Sequence, residues 1–305
     1  MDAMIISAAT IVATTSSIEF RRMTQADIGA GLRLCRMNGW DQVARDWERF
    51  LTPPCDAIAA IRGGLVLGTC AAIPYGGVFG WIGMVLVDPA AQGQGLGAAL
   101  LTHAAELLPD VASIRLDATP AGHPLYVKQR FVEEARLRRL ERAPATFAVA
   151  SSLDEDHRPD GEGIHKMTNV ELTEVQQMDA LVFGAPRGEL LDWMYRGAGE
   201  YAWVARRGGE LAGYILGRHG YEFEHLGPIV ARDERTAAAL AGACLSGHSD
   251  RAFIIDATCH DAEWAGFLEQ TGFREQRPFI RMYRGGQPPF GEPHHQFAVT
   301  GPEFG

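Results

Sequence analysis

Short apolar runs alternate with amphipathic stretches along this chain. Runs with period-two alternation predict strands, and alanine- or leucine-rich stretches with polar caps predict helices. In the first half the strands are predicted at 18–23, 57–61, 65–73, 81–87, 113–118 and 131–141, and the helices begin at Thr24 and cover 42–50, 98–108 and 125–129. This order of elements predicts an α/β domain with one sheet.

The second half repeats the plan of the first. Three short motifs return in the same order: Gly63–Gly68 as Gly208–Gly213, Leu116–Thr119 as Ile255–Thr258, and Gln129–Phe131 as Thr271–Phe273. Their offsets are all about 140 residues, which predicts a tandem duplication. The polar stretch between the copies is rich in helix and strand breakers and predicts a linker.

This organisation divides the chain into consecutive parts. We expect an N-terminal extension (1–17), a first domain (18–145), a linker (146–162), a second domain (163–284) and a Gly/Pro-rich tail (285–305). The tail allows two interpretations. Its prolines indicate irregular chain, whereas the apolar residues that begin at Phe297 favour docking as a strand or a lid.

Glycines separate the predicted strand 81–87 from the helix that follows it. Gly93, Gly95 and Gly97 allow a ligand to approach the backbone closely, and the first-turn amides of the helix have no acceptors of their own. Such a helix start binds anions, and a pyrophosphate suits it. The second copy has Arg232–Ala237 at this place, with two carboxylates that would repel a phosphate. We therefore expect only the first copy to bind a nucleotide.

Composition and charge narrow the class of function. The chain has 305 residues, 47% of them hydrophobic, which is enough for two packed domains. Its formal net charge of −10 argues against nucleic-acid and anionic membrane partners and suits a cationic substrate such as an amine. The cysteines lack metal-ligand or disulfide spacing, and no apolar stretch approaches the roughly 20 residues of a membrane span. We expect a cytoplasmic protein without a metal site.

Motifs of the first half resemble the GNAT superfamily of acyl-CoA N-acyltransferases. The motifs are Gln92-x-x-Gly95-x-Gly97 after a strand ending in Val-Asp-Pro, and Leu125-Tyr126 with Phe131 further on. The resemblance is strong over 18–142 and weak over 163–284. It implies an α/β (α+β) fold of two tandem GNAT-like domains, the second degenerate. Each would have a mixed, mostly antiparallel twisted sheet flanked by helices.

The resemblance also implies acetyl-CoA as the acyl donor and a primary amine of a small molecule as the acceptor. The diphosphate is then expected on the residues of the glycine loop: Gln92, Gly93, Gln94, Gly95, Leu96, Gly97 and Ala98. The pantetheine arm is expected to pair like an added strand with the main chain of Val85, Leu86 and Val87.

Tyr126 matches the position from which the family usually protonates the departing thiolate. A phenol with a pKa near 10 suits a thiolate of similar basicity. Asp117 is the candidate base, but its counterpart Asp256, in the copy without a glycine loop, favours a structural role, and water is an equal candidate. The resemblance places the acceptor pocket around the end of the first helix, on Met37, Asn38, Trp40 and Asp41.

Arg130 departs from the family pattern, which usually has glycine before the phenylalanine. If this position is left-handed, arginine costs about 1 kcal/mol of backbone strain or shifts the turn. The departure affects the local geometry and not the fold.

Other functions stay open on the sequence. Gly93-x-Gly95-x-x-Ala98, with Asp117 further on, also fits a dinucleotide-binding pattern, although the loop lies far into its domain. Further hypotheses are an acetyl-CoA sensor without turnover and an enzyme that acetylates lysines of peptides or proteins in an open groove. The oligomeric state is left open between monomer and homodimer.

Overall fold

The structure is a computed structural model that describes residues 17–144, 163–258, 262–286 and 290–305. The predicted linker and nearly all of the predicted N-terminal extension lie outside these ranges. None of the described helices is long and apolar enough to cross a membrane.

The first half contains its elements in the predicted order. Its strands are β1 (Glu19–Arg22), β2 (Asp56–Arg62), β3 (Leu65–Tyr75), β4 (Phe79–Val87), β5 (Ser113–Ala118) and β6 (Val132–Arg142). Its helices are α1 (Ile28–Met37), α2 (Ala44–Phe50), α3 (Leu96–Glu106) and α4 (His123–Lys128). A 3-10 turn precedes α1, and there Asp27 accepts a hydrogen bond from the Thr24 amide at 2.8 Å.

The second half repeats this order. Its strands are β7 (Gly163–Lys166), β8 (Trp203–Arg207), β9 (Glu210–His219), β10 (Glu224–Ala231), β11 (Phe253–Thr258), β12 (Arg274–Gly285) and β13 (Gln296–Ala298). Its helices are α5 (Leu172–Phe183), α6 (Gly188–Gly197), α7 (Glu234–Ser246) and α8 (Ala262–Gln270). Strands β7 to β12 and helices α5 to α8 correspond one for one to the elements of the first half, as a duplication requires.

The described strands of both halves form one sheet, in the order β1-β2-β3-β4-β5-β12-β6-β11-β13-β10-β9-β8-β7. The β4–β5 and β10–β11 pairs are parallel, and the other pairs are antiparallel, so the predicted mixed, mostly antiparallel sheet is confirmed. At the centre, β12 pairs with β5 of the first half, and β6 pairs with β11 of the second. The last strand of each copy is thus inserted into the sheet of the other copy, which the sequence did not predict.

Two equivalent ion pairs hold the exchanged strands. Arg139 on β6 lies opposite Asp256 on β11, and its Nε and Nη2 donate to the two carboxylate oxygens at 2.8 Å each. Arg281 on β12 lies opposite Asp117 on β5, with the corresponding bonds at 2.8 and 2.9 Å. Both aspartates come from the repeated motif that ends β5 and β11. The duplication therefore supplies one pair in each direction.

Apolar side chains fill both faces of the sheet. In the first half, α1 and α2 cover one face, where Trp47, Phe50 and Trp81 are buried. Helices α3 and α4 cover the other face, where Leu100 and Leu101 of α3 are buried against the sheet. Helices α5 to α8 cover the second half in the same way. The cavity described below lies at the end of β4, where these layers meet.

The C-terminal tail docks against both halves. Strands β10 and β11 pair with each other at 224–226 and 253–255, and β13 inserts between them further along, at Ile229 and Ala257. The strand interpretation of the apolar run at Phe297 is therefore confirmed. Residues 299–305 are buried and cross to the first half. There Phe304 stacks on Phe50 with ring centroids 4.7 Å apart, and its carbonyl oxygen accepts a hydrogen bond from the Tyr75 hydroxyl at 2.6 Å.

Arg130 follows α4 with a φ of 65°, in the left-handed region that favours glycine. Because its side chain is exposed, an Arg130→Gly substitution should relieve this strain and raise the free energy of unfolding by about 0.5–1 kcal/mol. Urea unfolding measures the change. Arg130→Ala keeps the Cβ and should bring no comparable gain; equal gains for both variants would contradict the strain argument.

The central ion pairs are expected to be essential for the fold. Asp256→Ala would leave the buried Arg139 guanidinium without its partner and should lower the free energy of unfolding by about 3–5 kcal/mol. The double variant Asp256→Leu with Arg139→Met removes both charges and should lose much less. Urea unfolding of the single and double variants tests this, and a loss below about 1 kcal/mol for Asp256→Ala would refute it.

Candidate active site

Strand β4 leaves regular pairing near its end. A bulge interrupts its register with β3 near Thr69, and Met84 has a φ of 53°. The Thr69 hydroxyl donates to the Met84 carbonyl oxygen at 3.0 Å, which fixes the bulge. Within the described residues, β4 pairs with β5 at Gly80 and Trp81, before the bulge. Beyond that point the two strands separate, so the main chain of residues 85–87 faces an opening on its β5 side.

The glycine loop turns the chain from β4 into α3. Gly93 and Gly95 have φ values of 76° and 82°, where side chains are disfavoured. A Cβ at either glycine would meet nothing within 4 Å, so the loop presents an open surface. Gly95 is the N-cap of α3, whose first-turn amides lack intrahelical acceptors. Arg62 donates to the Gln94 side chain at 2.9 Å, which adds a cation to this anion-binding arrangement.

The opening beside β4 is a cavity of about 740 Å³, a volume typical of small-molecule sites. The predicted cofactor-binding residues that line it are Val85, Leu86, Val87, Gln92, Gly93, Gly95, Leu96, Gly97 and Ala98. Gln94 is outside this lining. The remaining lining includes Asp117 and Tyr126 and a further group of residues: Asn38, Trp40, Arg277, Pro302 and Glu303.

Tyr126 lies on α4 at the wall of this cavity. Gly122 precedes the helix, and its amide donates to the Thr119 hydroxyl at 3.1 Å, which shapes the turn from β5. Burial raises the pKa of Tyr126, so the phenol stays protonated at neutral pH. Its hydroxyl makes no hydrogen bond to any residue that the structure describes, and its ring packs edge-on against Phe131. At neutral pH the cavity wall therefore carries a neutral phenol at Tyr126.

Asp117 lies in the lining, but its carboxylate is engaged. Both oxygens accept hydrogen bonds from Arg281 across the exchanged strand pair. A general base needs an oxygen directed at the substrate. These bonds give Asp117 the structural role that its counterpart Asp256 also has, and they argue against the candidate role of base.

The structure brings only some of the predicted acceptor residues to the cavity. Asn38 and Trp40 line the cavity, and the Asn38 amide donates to the Val87 carbonyl oxygen at 3.3 Å. Met37 is 44% exposed and does not belong to the lining. The chain turns at Gly39, which has a φ of 66° and follows the end of α1. Because of this turn, Met37 lies outside the cavity lining, whereas Asn38 and Trp40 belong to it.

Asp41 binds the other half of the molecule instead of lining the cavity. Its carboxylate accepts hydrogen bonds from His225 Nε2 at 2.8 Å and from the Glu222 amide at 2.7 Å. Burial opposes its ionisation, but the hydrogen bonds from His225 and from two main-chain amides hold the pKa of Asp41 below its ordinary value. The geometry therefore argues against the prediction that Asp41 binds the acceptor and favours a structural role for its carboxylate.

Of the lining residues that were not predicted from the sequence, Arg277, Pro302 and Glu303 belong to the second half of the chain. Arg277 lies on β12, and the other two lie in the segment after β13. They reach the cavity of the first copy because the strand exchange and the docked tail bring the second half beside β4. The apolar run at Phe297 indicated docking, but no local pattern indicated against which cavity.

A group of potential metal ligands lies elsewhere. Among the described residues, ligand atoms of Glu292, His294 and His295 come within 4.8 Å of one another, near the surface. None of the three lines the cavity beside β4.

Comparisons with known proteins identify relatives of both halves. Residues 32–131 match the model of the acetyltransferase (GNAT) family, and residues 175–298 match a model of an acetyltransferase (GNAT) domain. Holothin acyltransferase of Pseudoalteromonas sp. (strain SANK 73390) is 27% identical over 87% of each chain.

Solved structures share the fold over nearly the whole chain. A putative acetyltransferase from Pyrococcus horikoshii superposes with a TM-score of 0.74 and 21% identity, over 94% of this chain and 96% of that one. A tandem GNAT protein from the clavulanic acid biosynthesis pathway superposes with a TM-score of 0.64 and 16% identity, over 90% of this chain and all of that one (100%). The duplicated architecture thus has solved counterparts.

Proposed function

The chain belongs to the GNAT superfamily and is an acyltransferase, and from this premise we propose that it transfers an acetyl group from acetyl-CoA to a primary amine of a small molecule. One observation carries the proposal: the glycine loop, the stretch of β4 beyond its pairing with β5 and the protonated Tyr126 all line one cavity. An anion site, an edge for amide pairing and a proton donor are what this reaction needs.

The donor fits the residues that are present. Its diphosphate would lie at Gly93 and Gly95 against the first-turn amides of α3, where the lack of side chains leaves the backbone open to a ligand. Its pantetheine amides would pair with the main chain of residues 85–87. Main-chain amides at the bulge near Met84 are the candidates to stabilise the oxyanion on the thioester carbonyl.

In the proposed reaction, the neutral amine nitrogen attacks the thioester carbonyl carbon, gives up one proton to solvent, and the carbon–sulfur bond breaks. Tyr126 donates its hydroxyl proton to the departing thiolate, and the phenolate regains a proton from solvent. The apolar surroundings that raise the pKa of Tyr126 keep this proton in place until the thiolate forms. The products are an amide and free coenzyme A.

The second copy is proposed to have no donor site. At the start of α7, the Asp233 carboxylate accepts hydrogen bonds from the Thr236 amide at 2.8 Å and from its hydroxyl at 2.6 Å. The side chain thus takes the place at the helix start that an anion would need, and its charge would repel a phosphate. Leu268 stands where the first copy has Tyr126, five residues before the corresponding phenylalanine.

A small acceptor is favoured over a protein substrate because the cavity end beyond the bulge is bounded by side chains of both halves. Trp40 belongs to the first half, and Arg277 and Glu303 belong to the second. A peptide would need an open groove at this end. The negative net charge of −10 also suits an amine that arrives as a cation.

Tyr126→Phe should lower kcat about 10²–10⁴-fold, because the departing thiolate loses its proton donor. Acetyl-CoA affinity should stay unchanged. Thiol release with a panel of amines and calorimetry with acetyl-CoA measure the two quantities. Tyr195→Phe serves as the control, since that hydroxyl bonds the Met167 carbonyl oxygen in the other half. Equal rates for wild type and Tyr126→Phe would remove Tyr126 from the mechanism.

Gly95→Ala should weaken acetyl-CoA binding about tenfold or more, because the left-handed loop would shift to accommodate a Cβ. Gly64→Ala is a matched control in the β2–β3 turn, with a φ of 80° and nothing within 4 Å of its added Cβ. Both variants should lose similar stability, and only Gly95→Ala should lose affinity. Thermal stabilisation by NADH with none by coenzyme A would contradict the proposed donor.

A further inference from the structure

The segment that follows β13 is fixed against β4 of the first copy. The Trp81 indole nitrogen donates to the Pro302 carbonyl oxygen at 3.0 Å. At Gly83, a Cβ would come within 2.5 Å of the Glu303 carbonyl oxygen, so the glycine permits this close approach. Arg187 donates to the Gly305 carbonyl oxygen at 2.8 Å. Glu303 is therefore held beside β4, one residue from the bulge at Met84.

The Glu303 carboxylate has one engaged oxygen and one free oxygen. Glu303 is 2% exposed and lines the same cavity as Tyr126. Its Oε1 accepts a hydrogen bond from Arg218 Nη2. Its Oε2 is buried and has no hydrogen-bond partner among the described residues. An unpaired carboxylate oxygen in such a place is costly unless a ligand completes its bonding.

The charges around Glu303 favour a cation at this free oxygen. Arg218 also donates to the buried Asp46 at 3.1 Å, so two carboxyl groups share one guanidinium. A third contact of Arg218, at 3.2 Å, is to His225 Nδ1. Because Nδ1 accepts this bond while Nε2 bonds to Asp41, His225 is the neutral tautomer and adds no positive charge. A positively charged ligand would balance the second carboxylate.

We propose that Glu303 binds the acceptor amine as its ammonium ion and then acts as the general base. The inference rests on the proposed acetyl transfer and deepens it by naming the acceptor as a cationic amine. The ammonium nitrogen donates a hydrogen bond to Oε2 and transfers that proton to it, leaving a neutral amine and a protonated Glu303. The amine lone pair then forms the bond to the thioester carbon. Glu303 returns its proton to solvent, and the nitrogen releases its second proton through the freed carboxylate to solvent as the carbon–sulfur bond breaks.

This assignment supplies the base that the first half lacks. Residues 81–87 of β4 contain no acidic residue or histidine, and both oxygens of Asp117 are bound to Arg281. Glu303 and Tyr126 line one cavity together with the residues of the β4 bulge. One half of the chain thus provides the acid, and the other provides the base.

The test compares wild type with Glu303→Gln, which keeps the shape and an acceptor for Arg218 but cannot accept the proton. With a diamine or another primary amine from the panel, kcat/KM should fall about 100-fold at neutral pH. Acetyl-CoA affinity by calorimetry should be unchanged. Glu134→Gln is the matched control: it changes a carboxylate that accepts a hydrogen bond from another arginine, Arg115, and that lies outside the cavity lining.

The pH profile separates a base from a structural carboxylate. With Glu303→Gln, kcat/KM should rise with pH until the pKa of the free amine, since only amine already deprotonated in solution can react. Wild type should reach its plateau at lower pH. Glu134→Gln should keep the wild-type profile. The charged and titratable groups that interact with Glu303 are the same in wild type and in both variants: Arg218, Arg139, Asp46 and Cys35.

The outcomes distinguish this inference from the proposed function. Turnover by wild type with an unchanged rate or profile for Glu303→Gln would overturn the role of Glu303 alone, as would equal effects of Glu303→Gln and Glu134→Gln. Absence of both turnover and amine binding to the coenzyme A complex, measured by calorimetry, would overturn both. Should Glu303→Gln be unstable, Glu303→Asp keeps the charge for Arg218, and it should still slow transfer because the free oxygen is withdrawn.

Discussion

The opposed pairs of Arg139 with Asp256 and of Arg281 with Asp117 decide how the molecule is assembled. Each guanidinium lies on the strand that one copy inserts into the other, and each carboxylate lies on the strand that receives it. Because a buried charge without its partner is costly, each pair fixes the register of its strand. A slip of one residue would put the arginine on the opposite face. The register of the exchanged strands also places β12 with Arg277 at the cavity beside β4.

The second copy contributes residues to the cavity of the first copy, although its own sequence motifs do not indicate this. It has lost the glycine loop, and Asp233 occupies the start of its α7 helix. It nevertheless supplies β12 with Arg277 and the segment with Glu303 to the cavity of the first copy. Its divergence from the first copy therefore affects the start of its own α7, while its β12 and the segment after β13 contribute to the cavity of the first copy.

Local patterns predicted the elements, the duplication and the turn at the glycine loop because these features depend on neighbouring residues. The left-handed φ of Arg130 and the open surface at Gly95 follow the same motifs. The strand exchange could not be predicted in this way, since β6 has the same alternation whether it pairs within its own copy or with β11. The lining of the cavity was therefore predicted in part: Asn38 and Trp40 belong to it, whereas Asp41 bonds His225 and Glu303 comes from far along the chain.

The exchange of strands also sets the order in which the molecule can be built. Until β12 is available, β5 presents an unpaired edge, and that edge waits for a partner more than 150 residues away along the chain (Asp117 with Arg281, a sequence separation of 164). Pairings of such long range slow folding and leave edges open to association with other chains. A fragment that stops before β12 would have a complete glycine loop and an incomplete sheet. Folding of the first copy is therefore coupled to synthesis of the second copy.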